Sequence, residues 1–150
     1  MGITFQAVAV TESTVDSWRA DGHLAEQYIS TAYTEDDVGP DRVWLWLDKS
    51  GIGIMEAFGF VDEAAPPGAW VLGSEQLDGT DGLIMTLTAE QVRTVALHVA
   101  GVSDADFAAM VEGNQMDNDV EYLGHFYKRL REFYRDAAER HLAAAFYTSV

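Results

Sequence analysis

Asp119-Val-Glu-Tyr-Leu-Gly-His-Phe-Tyr-Lys-Arg-Leu-Arg-Glu-Phe-Tyr-Arg-Asp-Ala-Ala138 runs on, a few residues later, into Ala143-Ala-Ala-Phe-Tyr-Thr148. The first segment repeats apolar residues at spacings of three and four: Val120, Leu123, Phe126, Tyr127, Leu130, Phe133, Tyr134, Ala137 and Ala138. That is the period of an amphipathic helix with one buried stripe. Phe126, Tyr127, Phe133 and Tyr134 are the bulky part of that stripe, and a core-facing helix explains them without a ligand. The second segment is short, apolar and aromatic, which is the signature of a closing strand.

Working outward, Thr88-Ala-Glu-Gln91 has the form of a capping box, and Val92, Val95, Ala96 and Val99 pattern the helix behind it up to Gly101. Ser103-Asp-Ala-Asp106 opens another short helix carrying Phe107, Met110 and Val111. Leu83–Leu87 reads as a strand, entered by the turn at Asp78–Gly82. At the other end, Ile3–Val10 reads as a strand. Thr11 is positioned to cap a helix over Glu12–Ala20, and a second helix is expected over His23–Ala32. Thr34–Asp41 and Val61–Gly68 read as loops, and Ala69–Leu72 as a short extended piece. Arg42–Phe60 is ambiguous: Asp41 could cap a helix, but Gly51 and Gly53 weaken it, and Val43-Trp-Leu-Trp-Leu47 fits a buried strand equally well. The sum is one α+β domain over residues 1–150, a small mixed sheet flanked by several helices, with both chain ends supplying strands; α/β is the alternative.

Composition then narrows the chemistry. The 150 residues hold 25 acids, nine Lys or Arg and no cysteine, for a net charge of −16. Disulfides, thiolate catalysis, cysteine-ligated zinc and iron–sulfur clusters are excluded. The acids are unevenly placed: 22 precede residue 125, against Arg19, Arg42, Lys49 and Arg93. Lys128, Arg129, Arg131, Arg135 and Arg140 all lie in the last helix, interleaved with Glu132, Asp136 and Glu139. Such a layout argues against a nucleic-acid surface, which needs a basic patch. No signal peptide or membrane-length apolar run is evident, so a cytoplasmic location and no membrane partner are expected.

Familiar catalytic patterns fail one by one. Ser74 does not sit in GxSxG, Gly51-Ile-Gly53 does not complete GxGxxG because Glu56 takes the third glycine position, and no HExxH is present. His23, His98, His125 and His141 are scattered, so neither metal nor cofactor is expected. Asp117-Asn-Asp119 with Glu121 lacks the glycine and spaced glutamate of a calcium loop.

Several segments resemble the YfbM-like bacterial family, a domain of unknown function. They are Leu87-Thr-Ala-Glu-Gln-Val92, Val102-Ser-Asp-Ala-Asp-Phe107, Leu47-Asp-Lys-Ser50 and Trp70-Val-Leu-Gly73. The closing stretch from Glu121-Tyr-Leu through Phe126, Leu130-Arg-Glu-Phe-Tyr134 and Ala137-Ala138 to Thr148 is similar to that family's last helix and strand. The chain departs from the pattern where Gly51 replaces a tryptophan and Ile54-Met55 replaces an Ile-His pair. The resemblance implies a compact α+β domain and supplies no activity.

Two functional classes follow. The first is a non-enzymatic acidic binding module, immunity-type or regulatory, for a basic protein partner. The second is a small hydrolase or ligand-binding enzyme with Asp48 or Glu56 as base and Lys49 as electrostatic partner. Trp44, Asp48, Lys49 and Trp70 are the candidate ligand- or partner-contacting residues, since tryptophan is favoured at grooves and interfaces. The protein is expected to be a monomer or small homo-oligomer, with charge repulsion opposing association.

Overall fold

The computed structural model describes residues 3–34, 43–59, 66–113 and 119–149. Among the described residues, five strands and six α-helices follow one another along the chain. β1 (Thr4–Val10) is followed by α1 (Glu12–Ala20), α2 (Gly22–Thr34), β2 (Val43–Asp48) and α3 (Gly51–Ala57). After a 3₁₀ turn at Gly68–Trp70 come β3 (Glu75–Gln76), β4 (Leu83–Leu87), α4 (Ala89–Ala100), α5 (Asp104–Gly113), α6 (Val120–Glu139) and β5 (Ala143–Ser149).

The strands form one sheet in the order β2-β1-β5-β4-β3. All four pairings are antiparallel, so the α+β class is as expected, while the sheet anticipated as mixed is antiparallel throughout its described strands. The β1–β2 and β4–β5 crossovers contain two and three helices, and in each case the strand after the crossover is antiparallel to the one before it. β1 and β5 pair over seven residues, from Thr4 with Ser149 to Val10 with Ala143.

Strand alternation sorts side chains to two cores. Phe5, Ala7, Ala9, Ala144 and Phe146 face the larger one, with Val43, Leu45 and Leu47 from β2. It is completed by α3, α4, α5 and the buried stripe of α6. Val8, Val10, Ala143 and Ala145 face the smaller one with Val15, Trp18, Ala25 and Ile29 of α1 and α2. Helices therefore cover both sheet faces. Each large apolar side chain fully buried this way contributes about 1.5–3 kcal/mol.

The helix ends follow their sequence signals. Thr11 and Asp119 accept from the amides of Thr14 and Tyr122. Thr88 and Gln91 form the complete capping box. Ser103 and Asp106 exchange the same pair of bonds, which holds the exposed Asp106 carboxyl below its usual range. Backbone donation from Ser103 is the first cause and its hydroxyl the second.

Three expectations change. The ambiguous stretch resolves into strand β2 and helix α3, not one helix. Ala69–Leu72 is not extended: the Trp70 amide bonds the Pro67 carbonyl and that of Gly73 bonds Trp70, so the chain curls there. Val71 and Leu72 are buried in the larger core, which explains their apolarity without a strand. The two-residue β3 carries no periodic signal and was not anticipated. The loop at Thr34–Asp41, the Asp41 cap, most of Val61–Gly68 and Asp117-Asn118 lie largely outside the described residues. No single helix among the described residues is long and apolar enough to cross a membrane.

Candidate functional site

Asp48 ends β2 in an unusual conformation. Its φ is +49°, a left-handed value that Asp tolerates better than most residues. The register against β1 slips just before it, because Gln6 pairs with Trp46 and Phe5 with Asp48, leaving Leu47 as the bulged residue. The chain then folds back on itself. The Ser50 amide and hydroxyl both donate to the Leu47 carbonyl, at 3.0 and 2.6 Å, and Ser50 is fully buried. Gly51 and Gly53 open α3 where no side chain would fit: a Cβ on Gly51 would run into the Phe5 ring, and one on Gly53 into Leu123.

Tyr122 on α6 closes this corner. Its hydroxyl donates to the Asp48 carboxylate at 2.7 Å and accepts from the Lys49 amide at 3.2 Å. Burial pushes the Tyr122 phenol up, the bond to Asp48 adds to this, and the Lys49 amide opposes it. Asp48 and Lys49 are thus brought together on one phenol, with the Asp48 carboxylate engaged in a structural bond.

The two tryptophans go elsewhere. Trp44 packs against the smaller core, and Trp70 against the larger one. The buried Trp44 Nε1 and Gln6 Oε1 find no hydrogen-bond partner among the described residues. Glu56 is half-buried on α3. The structure therefore joins the Asp48 carboxylate to the Lys49 backbone amide through Tyr122, and does not gather them with Trp44 and Trp70 into one cleft. Ser74 is also structural, its hydroxyl meeting the Thr86 carbonyl and the Gln91 side chain. Among the described residues, no three His, Asp or Glu side chains converge as metal ligands.

Two grooves border α6, and neither is lined by Asp48, Lys49 or Glu56. One, of about 440 Å³, lies between α4 and α6, where Leu97 is 74% exposed between Arg93, Arg131 and Arg135. Arg131 is anchored there: it donates to the Val102 carbonyl at 3.1 Å and to Asp104 at 2.7 Å, and lies over the Tyr127 ring. The other groove, of about 250 Å³, lies between β2 and α6.

Carboxylates gather at a different place, the corner where α1 and α2 meet the β3–β4 turn. The Asp81 amide donates to Glu26 at 2.7 Å, and Gly22 packs on the Asp78 carbonyl. Arg19 bonds Asp16 at 2.7 Å and approaches Glu75 at 4.0 Å. Asp16 and Glu75 are both about two-thirds exposed, at 68% and 67%. Neighbouring Asp21 accepts from the His23 amide, at the start of α2. Sequence reasoning located the acidic excess in the first part of the chain but not this corner, because its members are dispersed from residue 16 to residue 81.

Comparison with known proteins agrees with this fold. Residues 1–147 match the model of the family described as domain of unknown function DUF1877. The crystal structure of YfbM from Escherichia coli, a protein of unknown function, superposes with a TM-score of 0.62 at 11% identity, over 97% of this chain and 99% of that one. At that identity the likeness concerns the fold alone. No curated protein matches the chain.

Proposed function

Because this chain belongs to the DUF1877 family, whose description assigns no activity, we propose its role from its own surface: a non-enzymatic interaction module that binds a basic protein partner, in an immunity-type or regulatory capacity. The observation that carries this reading is the corner of α1, α2 and the β3–β4 turn. Asp16, Asp21, Glu26, Glu75, Asp78 and Asp81 are set around it with Arg19, which is itself engaged by two of them. Carboxylates spread along an exposed edge attract a cationic surface, raise the rate of encounter and repel nucleic acid.

The hydrolase alternative draws less support. Its proposed base, Asp48, is engaged by the Tyr122 phenol, and Lys49 is exposed beside it. The test is capture from the native host at low and high salt, using the wild-type protein and a variant with Asp16→Lys, Asp78→Lys and Asp81→Lys. A basic protein retained by the wild type at low salt, released at high salt and not retained by the variant is the expected result. Identical retention by both proteins, or no salt-sensitive partner, overturns the reading.

A further inference from the structure

We propose that the outer edge of β2 is a self-association surface, and that two copies pair there about a two-fold axis to extend the sheet across the dimer. β2 is an edge strand, and its outer side carries no strand among the described residues. Edge strands that must stay single are blunted by charge, proline, brevity, a bulge or a covering helix; the bulge of β2 is at Leu47, near its end, and leaves Val43–Trp46 in regular register. Val43–Leu47 has neither a charge nor a proline, and its first charged residue is Asp48, at the end of the strand.

Symmetry favours a second copy of this chain as the occupant. A two-fold pairing of antiparallel strands sets each residue opposite one equally distant from the axis, and opposed residues share a sheet face. Val43-Trp-Leu-Trp-Leu47 is palindromic in character about Leu45. With the axis at Leu45, Trp44 of each copy faces Trp46 of the other; both are half-buried, whereas Val43, Leu45 and Leu47 keep their side chains in their own core. Aromatic and branched cross-strand pairs are the stabilising unit of such a ladder.

Charge selects the same arrangement independently. The groove along this edge is bordered on α6 by Arg129, Glu132, Phe133 and Asp136. The axis reverses α6 in the second copy, and the midpoint of these four residues falls between Glu132 and Phe133. Arg129 of each copy then comes opposite Asp136 of the other. Arg129 makes no ion pair among the described residues, and Asp136 has the adjacent Arg135 at 3.5 Å. Repulsion between two copies of net charge −16 is eased here, because the four bases of α6 balance its four acids, while the acidic excess lies before residue 125.

The experiment is light scattering coupled to size exclusion on the full chain at about 0.15 M salt, where the screening length is ~8 Å. The wild type should be a dimer. Arg129→Glu and Asp136→Arg, each placing like charges across the axis, should each weaken it about ten-fold or more. An equimolar mixture of the two single variants should form a heterodimer, and the variant carrying both changes should dimerise again. Circular dichroism checks that every variant is folded. A monomeric wild type, a dimer indifferent to both single changes, or single variants that fail to pair with one another overturns the proposal. Loss of the dimer leaves the acidic corner intact, so the two readings fail separately.

Discussion

The Tyr134 hydroxyl donates to the carbonyl of Val71 at 2.7 Å, with the Trp70 carbonyl at 3.3 Å. This joins the middle of α6 to the curled segment before β3, and Tyr134 is fully buried. Replacing it with Phe keeps the ring and strips the donor from a buried carbonyl. Tyr134→Phe should therefore cost about 1–3 kcal/mol. Urea denaturation should show a lower midpoint with an unchanged slope. A wild-type midpoint would mean that the bond contributes nothing.

Alkaline pH should act on the same helix. Tyr127, whose hydroxyl meets the Val99 and Val102 carbonyls, is pushed up to about 12, chiefly by burial. Burial also raises Tyr134 well above its usual value. An unfolded tyrosine ionises near pH 10. The folded state thus holds its phenol protons more tightly, and unfolding releases them once pH passes that value. The contribution of these groups is complete below about pH 10 and declines as pH rises toward 12 and beyond. Denaturation at stepped pH should show this decline, with a shallower slope in Tyr127→Phe.

Three glycines should respond to alanine with opposite signs. Gly51→Ala and Gly53→Ala improve helix propensity but drive a methyl into Phe5 or Leu123, and overpacking of this kind costs about 1–3 kcal/mol. Gly124, inside α6, has nothing within 4 Å of an added Cβ. Gly124→Ala should stabilise by about 0.5–1 kcal/mol. Thermal melts of the three variants decide the matter, and a destabilised Gly124→Ala would contradict the open space above it.

The Asp48 corner separates conformation from bonding. Asn tolerates the left-handed backbone and still accepts from Tyr122, whereas Ala does neither as well. Asp48→Asn should stay within about 1 kcal/mol of the wild type, with Asp48→Ala falling below it by about 1–3 kcal/mol. A double-mutant cycle of Asp48→Ala with Tyr122→Phe should give a coupling of about 0.5–3 kcal/mol. Additive effects would show that the 2.7 Å contact carries no energy.

Sequence made the outer framework legible wherever a local signal and a burial pattern coincided. Thr88 and Gln91 announce α4, Asp119 and the stripe from Leu123 to Ala137 announce α6, and all of them act as their chemistry dictates. It was equivocal at Val43–Ala57, because five consecutive apolar residues suit a strand or a buried helix alike. Gly51 and Gly53 read as helix breakers, yet they are where backbone must approach Phe5 and Leu123, contacts that only the tertiary structure supplies. The candidate site was least legible. Asp48 and Lys49 are neighbours in sequence, but their partner Tyr122 lies 74 residues from Asp48, and nothing local links them. Trp44 and Trp70 looked alike as tryptophans, and only strand alternation and the curl at Gly68 send them to different cores.

The position of β5 has a consequence for biosynthesis. It lies between β1 and β4, so the middle of the sheet is filled by a strand made after both of its neighbours. While a ribosome still holds residues 143–149, β1 has only β2 beside it and β4 only β3, and neither ribbon can complete either core. Such distant pairings fold slowly, because a long loop must close before any contact compensates for the lost freedom. The sheet must therefore wait for residues 143–149 to leave the exit tunnel before it can close. Until then the bare flanks of β1 and β4 stand open to whichever chaperone or neighbouring polypeptide reaches them first.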